Sequence, residues 1–152
     1  MTNNLKAFLT MIAVSEGTAG IGDNGYNVIV GQALFRSYAD HPRQRVFVKR
    51  INQYSTAAGR YQILAKYFDA YKKQLNLPDF SPDSQDKIAI QLIKECRALD
   101  DVNSGRFVQA VEKCRSRWAS LPGAGYGQHE NSLTALQLAY VNAGGVISAC
   151  LL

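Results

Sequence analysis

A chain of 152 residues, 47% hydrophobic and 19% charged, is long enough to bury a sizeable core and too apolar to be disordered. Its net charge is +5, and between Arg36 and Lys73 nine basic side chains stand against two acidic ones. That favours a polyanionic partner such as nucleic acid, anionic lipid or an acidic wall polymer, or else is a solvated mixed surface. Three cysteines with no C-x-x-C pair argue against a disulfide framework or zinc site and for reduced, mostly buried thiols.

In chain order, Asn3 or Asn4 can cap a first helix. Leu5, Phe8, Leu9, Ile12 and Ala13 follow at spacings of three and four, so they share one face. The next step of that stripe is Glu16, and Gly17 can supply the left-handed residue that ends the helix. A carboxyl group facing inward at the negative end of a helix dipole is disfavoured as a charge on both counts. That is a way to keep a carboxylic acid protonated near neutral pH. The alternative is a glutamate at the edge of the stripe, pointing to water. Only Lys6 carries charge before Glu16 and no small-residue cleavage site follows, so no signal peptide is read here.

Thr18 to Gly25 is a loop rich in Gly, Asp and Asn, and Tyr26 to Val30, closed by Gly31, reads as a short strand. Arg45 to Ile51 reads as a second strand. A helix is expected over Gly59–Leu75, with Tyr61, Leu64, Phe68, Tyr71 and Leu75 on one stripe. Ser81 as cap, Pro82 at the first position and Asp83 in the first turn start another, which buries Ile88, Ala89, Leu92, Ile93 and Cys96. Phe107, Val111, Cys114, Trp118 and Leu121 mark a further helix that Pro122-Gly123 breaks. A glycine-dense loop, Gly123 to Gln128, leads to a last helix over about Ser132–Ala143, with Leu133, Leu136 and Tyr140 inward. No charge occurs from Asn131 to Leu152, but Thr134, Gln137 and Asn142 make the stretch too polar to span a membrane. The whole reads as one α+β domain, residues 1–152: a mainly helical lobe, a small antiparallel β lobe, and a cleft between them that Glu16 enters.

His41 and His129 are far apart and without a partner motif, which favours structural or surface roles over a metal site or triad. No phosphate loop or dinucleotide fingerprint occurs. Glycosidases usually pair two carboxylates. Asp23 lies in the Gly-rich loop after Glu16 and could reach a cleft, while Asp40, in Ala-Asp-His-Pro, suits a turn. A lone buried acid fits a different sugar chemistry, in which it protonates the glycosidic oxygen and then takes a proton from the sugar's own C6 hydroxyl as that group attacks the anomeric carbon.

Several stretches carry a family likeness in the right order: Ser15-Glu16-Gly17-Thr18, Gly25 to Gly31, Tyr38 to Arg43, Ser55 to Gln62, Leu77 to Pro82 with Ser84-Gln85-Asp86, and Trp118 to Gln128. Through them the chain resembles the lambda-type phage endolysins, lytic transglycosylases with a lysozyme-like fold. The resemblance implies Glu16 as catalytic acid and base, and Asn27, Ser55, Tyr61, Gln62, Tyr126 and Gln128 along the saccharide cleft. Asn27 departs from the family, which often has Asp there. Tyr61 lies on the apolar stripe and also reads as core, and Ser55-Thr56 also reads as a helix cap.

The implied protein is a monomer that cleaves peptidoglycan glycan strands without metal or cofactor, with no nucleic acid partner, no membrane insertion and no separate wall-binding domain. It waits in the host cytoplasm until a holin opens the way to the wall. The alternatives are a hydrolytic muramidase using Glu16 with Asp23, and a non-enzymatic basic binding module for wall polymer or nucleic acid.

Overall fold

The computed structural model describes residues 1–125 and 130–149. Among them are helices α1 (Asn3–Ser15), α2 (Ala65–Gln74), α3 (Pro82–Glu95), α4 (Leu99–Asn103), α5 (Phe107–Cys114) and α6 (Leu133–Asn142), with strands β1 (Val46–Val48) and β2 (Gln53–Ser55) between α1 and α2. The chain forms two compact units: Met1–Ser15 with Ile90–Leu152, and Glu16–Ala89.

In the first unit α1 packs on α4 and α6. Ala7, Phe8, Met11, Ile12 and Ala13 are all 0% exposed. The stripe expected from the sequence is therefore widened by Ala7 and Met11 into a helix enclosed on several sides. Phe8, Phe107 and Tyr140 carry the packing, with ring centroids 6.3 Å and 4.9 Å apart along that series. The N-terminal cap is Thr2 rather than Asn3 or Asn4: the Leu5 N–H donates to Thr2 Oγ1 at 3.0 Å. Asn4 instead donates to the Asn103 carbonyl and accepts from the Val146 N–H. The stripe Phe107, Val111, Cys114, Trp118, Leu121 is buried throughout, but α5 ends at Cys114 and the last two members sit in the turns that follow. Ser132 caps α6 by accepting from the Ala135 N–H.

The second unit holds the β structure. Its antiparallel hairpin pairs Val46 with Ser55, Phe47 with Tyr54 and Val48 with Gln53. Lys49–Ile51 forms a turn of 3-10 helix inside it, so the expected strand Arg45–Ile51 stops at Val48. The expected strand Tyr26–Val30 is reduced to single bridges, Val28 to Leu34 and Ile29 to Ala58. The cause is a reversal at Gly31-Gln32, where the Ile29 N–H donates to the Ala33 carbonyl and the Gln32 N–H to the Ile29 carbonyl. The expected helix Gly59–Leu75 begins only at Ala65. Gly59 and Gln62 have φ of +82° and +53°, which an α-helix cannot contain. α3 starts as read: the Ser84 N–H donates to Ser81 Oγ, and Asp79 Oδ1 accepts from both the Ser81 N–H and the Ser84 hydroxyl.

Candidate active site

Glu16 is the first residue past α1, half-buried in the turn that Gly17 closes at φ +77°. It thus follows the helix rather than standing on it. The residues on either side of it are fixed. Before it, the Ser15 carbonyl, an unsatisfied acceptor at the helix end, accepts from Asn131 Nδ2 at 2.9 Å, and the Ser15 and Ser120 hydroxyls bond at 2.7 Å. After it, the Thr18 hydroxyl donates to the Arg60 carbonyl at 2.6 Å. The Thr18 carbonyl and hydroxyl leave no room on Gly25, where a Cβ would lie 2.8 Å and 2.9 Å from them at φ +88°.

Arg60 belongs to a segment that gathers several of the expected sugar contacts. The Gly59 N–H donates to the Val28 carbonyl. Gln62 Nε2 donates to the carbonyls of both Val28 and Gly59, at 3.3 Å and 2.9 Å. The half-buried Gln62, whose left-handed backbone is uncommon for a non-glycine residue, is thereby set beside Asn27-Val28. Asn27 is half-buried, and its Oδ1 accepts from the Asp23 N–H at 2.8 Å. Ser55 ends β2, and its hydroxyl accepts from the Ala57 N–H, next to the bond from the Val30 N–H to the Ala57 carbonyl. Thr56, not Ser55, serves the following helix, accepting from the Ala65 N–H.

Tyr61 is core, as its place on the stripe allowed: it is 1% exposed, and its hydroxyl donates to Asp86 Oδ1 at 2.6 Å. Tyr126 and Gln128 lie outside the described residues, as does His129.

Beneath Arg60 and Tyr61 is a polar layer that the sequence reading did not assign. Gln85, 0% exposed, accepts from the Arg60 N–H at 2.9 Å and donates to the carbonyls of Tyr26 and Phe80. Asp86 takes both tyrosine hydroxyls, Tyr26 at 2.8 Å and Tyr61 at 2.6 Å. Burial, with the Asp86 charge beside it, pushes the Tyr61 hydroxyl far above its ordinary pKa, so it stays a donor. The sequence signal was present: Gln85-Asp86 sits one turn before Ile88-Ala89 on a helix whose apolar face is buried, where polar side chains are retained only with partners.

Asp23, Asp40, Asp69, Asp79, Asp83 and Asp86 each accept from a donor within the protein. Asp23 Oδ2 accepts from the Tyr38 hydroxyl at 2.6 Å. Asp40 and Asp69 share Arg43, so Asp40 organises its turn as expected. Asp79 accepts from the Ser81 N–H and the Ser84 hydroxyl, Asp83 pairs with Lys87 at 2.9 Å, and Asp86 holds the tyrosines. His41 is structural: it is 2% exposed, its Nε2–H donates to the Ile63 carbonyl at 2.8 Å, and its Nδ1 accepts from the Arg43 N–H.

A helix-dominated α+β fold of this kind has counterparts among the phage lysozymes. Two solved structures of bacteriophage lambda lysozyme superpose with TM-scores of 0.93 and 0.89, at 49% and 48% identity, each covering 97% of this chain and 98% of the other. The first is a complex with a chitohexasaccharide. The endolysin of Escherichia phage P2 is 51% identical, covering 94% of both chains, and that of Escherichia phage lambda is 49% identical, covering 97% of this chain and 95% of its own. The endolysin family model matches residues 6–147. The chain belongs to the endolysin family.

Proposed function

We propose that this chain lyses bacterial cells by cleaving the glycan strand of peptidoglycan between N-acetylmuramic acid and N-acetylglucosamine, without consuming water. Glu16 as a carboxylic acid gives its proton to the glycosidic oxygen, and the bond from that oxygen to the muramoyl C1 breaks. The muramoyl C6 hydroxyl then attacks C1, and the Glu16 carboxylate takes the hydroxyl proton. The products are a free hydroxyl on N-acetylglucosamine and an anhydro-muramic end, and Glu16 is protonated again. Asn27, Ser55 and Gln62 bind sugar, joined by Tyr126 and Gln128 on the strength of the family likeness. Tyr61 acts from within, by holding the Arg60 segment.

The observation that carries the water-free reading is the engagement of every other carboxylate in Glu16–Ala89 by a donor within the protein. A hydrolase needs a second carboxylate ready to activate water or to attack. The chitohexasaccharide held by lambda lysozyme supports a glycan substrate for this chain. Among the described residues no helix is long and apolar enough to cross a membrane. On the family likeness, a holin opens its route to the wall.

Mass spectrometry of digested peptidoglycan tests the mechanism. Anhydro-muramic ends are expected; reducing muramic ends would establish a hydrolase, with Asp23 the next acid to examine.

A further inference from the structure

We propose that Cys96 and Cys114 are a reactive thiol pair that closes to an intramolecular disulfide by exchange with an external disulfide, a covalent site separate from the sugar chemistry. Cys96 directly follows α3, and Cys114 is the last residue of α5. Both are free thiols, and each is the largest single influence on the other's titration. Two polar ties hold their neighbours together: Lys113 Nζ donates to the Arg97 carbonyl at 3.4 Å, and Arg117 Nη2 pairs with Glu95 Oε1 at 3.1 Å. The residues after Cys96 and before Cys114, and those before Cys96 and after Cys114, are thus tied in pairs, so separating the thiols means breaking these ties.

The pair is asymmetric. Cys96 is half-buried and within reach of a small reagent, while Cys114 is 0% exposed. The neighbouring Cys114 thiol, with help from the Ser116 side chain and the Arg117 charge, lowers the Cys96 pKa against the effect of burial. The Cys96 thiol and burial raise that of Cys114. A thiolate is the nucleophile in exchange, and cationic neighbours favour it.

The step balances as follows. The Cys96 thiolate attacks one sulfur of a small disulfide, whose S–S bond breaks and releases one thiolate. The Cys114 thiol gives its proton to that leaving thiolate and attacks the Cys96 sulfur, expelling the second thiolate. Two protein thiols lose two electrons and two protons in total, and the external disulfide becomes two thiols. The new bond joins the ends of α3 and α5 around α4.

The test uses the full chain with Cys150→Ser, which leaves two thiols, and glutathione disulfide as the probe. The expected result is loss of both free thiols, an intact mass lower by two hydrogens with no glutathione attached, and a digest in which the Cys96 and Cys114 peptides are linked. In the same background Cys114→Ser should stop as a glutathione adduct on Cys96, and Cys96→Ser should leave Cys114 unmodified under native conditions. A persistent glutathione adduct on the parent, two thiols that stay free, or covalent dimers would each overturn the pairing. So would modification of Cys114 in folded Cys96→Ser at the rate seen for Cys96. The parent's mass and peptide map decide the matter even if a single variant fails to fold, and none of these readouts depends on glycan cleavage.

Discussion

Glu16 sits between two anchored residues, and its substitutions divide by which of these jobs they touch. Glu16→Gln removes the transferable proton, and kcat on purified peptidoglycan should fall by about 10²–10⁴-fold while the fold is kept. Undiminished lysis by folded Glu16→Gln would end the catalytic assignment. Asn131→Ala removes the donor to the Ser15 carbonyl, so Glu16 stays present but less well held. Turnover should fall by about tenfold, with a shifted pH profile and little change in KM; an unchanged profile would reduce Asn131 to a structural role. Asn27→Asp should be nearly silent, because a carboxylate can accept from the Asp23 N–H as the amide does. A gain of orders of magnitude, with reducing ends among the products, would instead identify position 27 as a missing second acid. The half-buried place of Glu16 just past α1 was legible because a stripe and a glycine bracket it. Asn131 and Gln85 were not, because their value lies in backbone groups distant in sequence, which no local spacing announces.

At the scale of elements, helix periodicity read well where the chain is continuous and failed where a loop keeps the same spacing. Tyr61 continues the stripe of Phe68 and Tyr71 and is buried, yet it lies before the helix, in a segment bent by Gly59 and Gln62. Burial on a shared side is what the pattern detected, and left-handed backbone is what it could not see. Gly59→Ala is a direct probe of that bend, since a Cβ there would collide with the Gln85 side chain at a φ of +82°. We expect a loss of about 2 kcal/mol in urea unfolding. The short α4 was not foreseen. Its Asp101, 5% exposed, accepts from Arg106 Nε at 2.7 Å and Lys113 Nζ at 2.6 Å. Those cations are about half-exposed, and solvent screening moderates what the pairs contribute.

For the whole molecule, pH and salt separate contributions that a single stability would merge. Burial lowers the His41 pKa below its ordinary value, with Arg43 adding to it against the Ile63 carbonyl bond. The unfolded chain then takes up a proton that folded His41 refuses, so stability is full above about pH 6.5 and declines as pH falls below it. Asp101, Asp40 and Asp69 are held low by their cations, and Asp79 by its bonds to Ser81. Their contribution is present above about pH 4 and is lost as pH falls through their folded values. A pH series of thermal unfolding should show both declines, and His41→Gln should abolish the upper one alone. The basic stretch is thinner than its composition suggests: Arg60 is buried and Arg43 is shared by two aspartates. Arg36, Arg45, Lys49, Arg50, Lys66 and Lys73 are exposed, and lysis should still weaken as ionic strength rises. Equal lysis at low and high salt would remove that role.

The unit that contains α1 is completed by residues 90–152. A helix with Phe8, Met11 and Ile12 fully enclosed has no surface to bury them against until α4 and α6 exist. During synthesis this helix leaves the ribosome well before α4 and α6, and closing so long a loop slows folding. Nascent chains that stop short of α4 and α6 therefore expose that apolar helix and invite chaperones, and the anchor that Asn131 gives to Ser15, next to Glu16, can form only after residue 131 has been made.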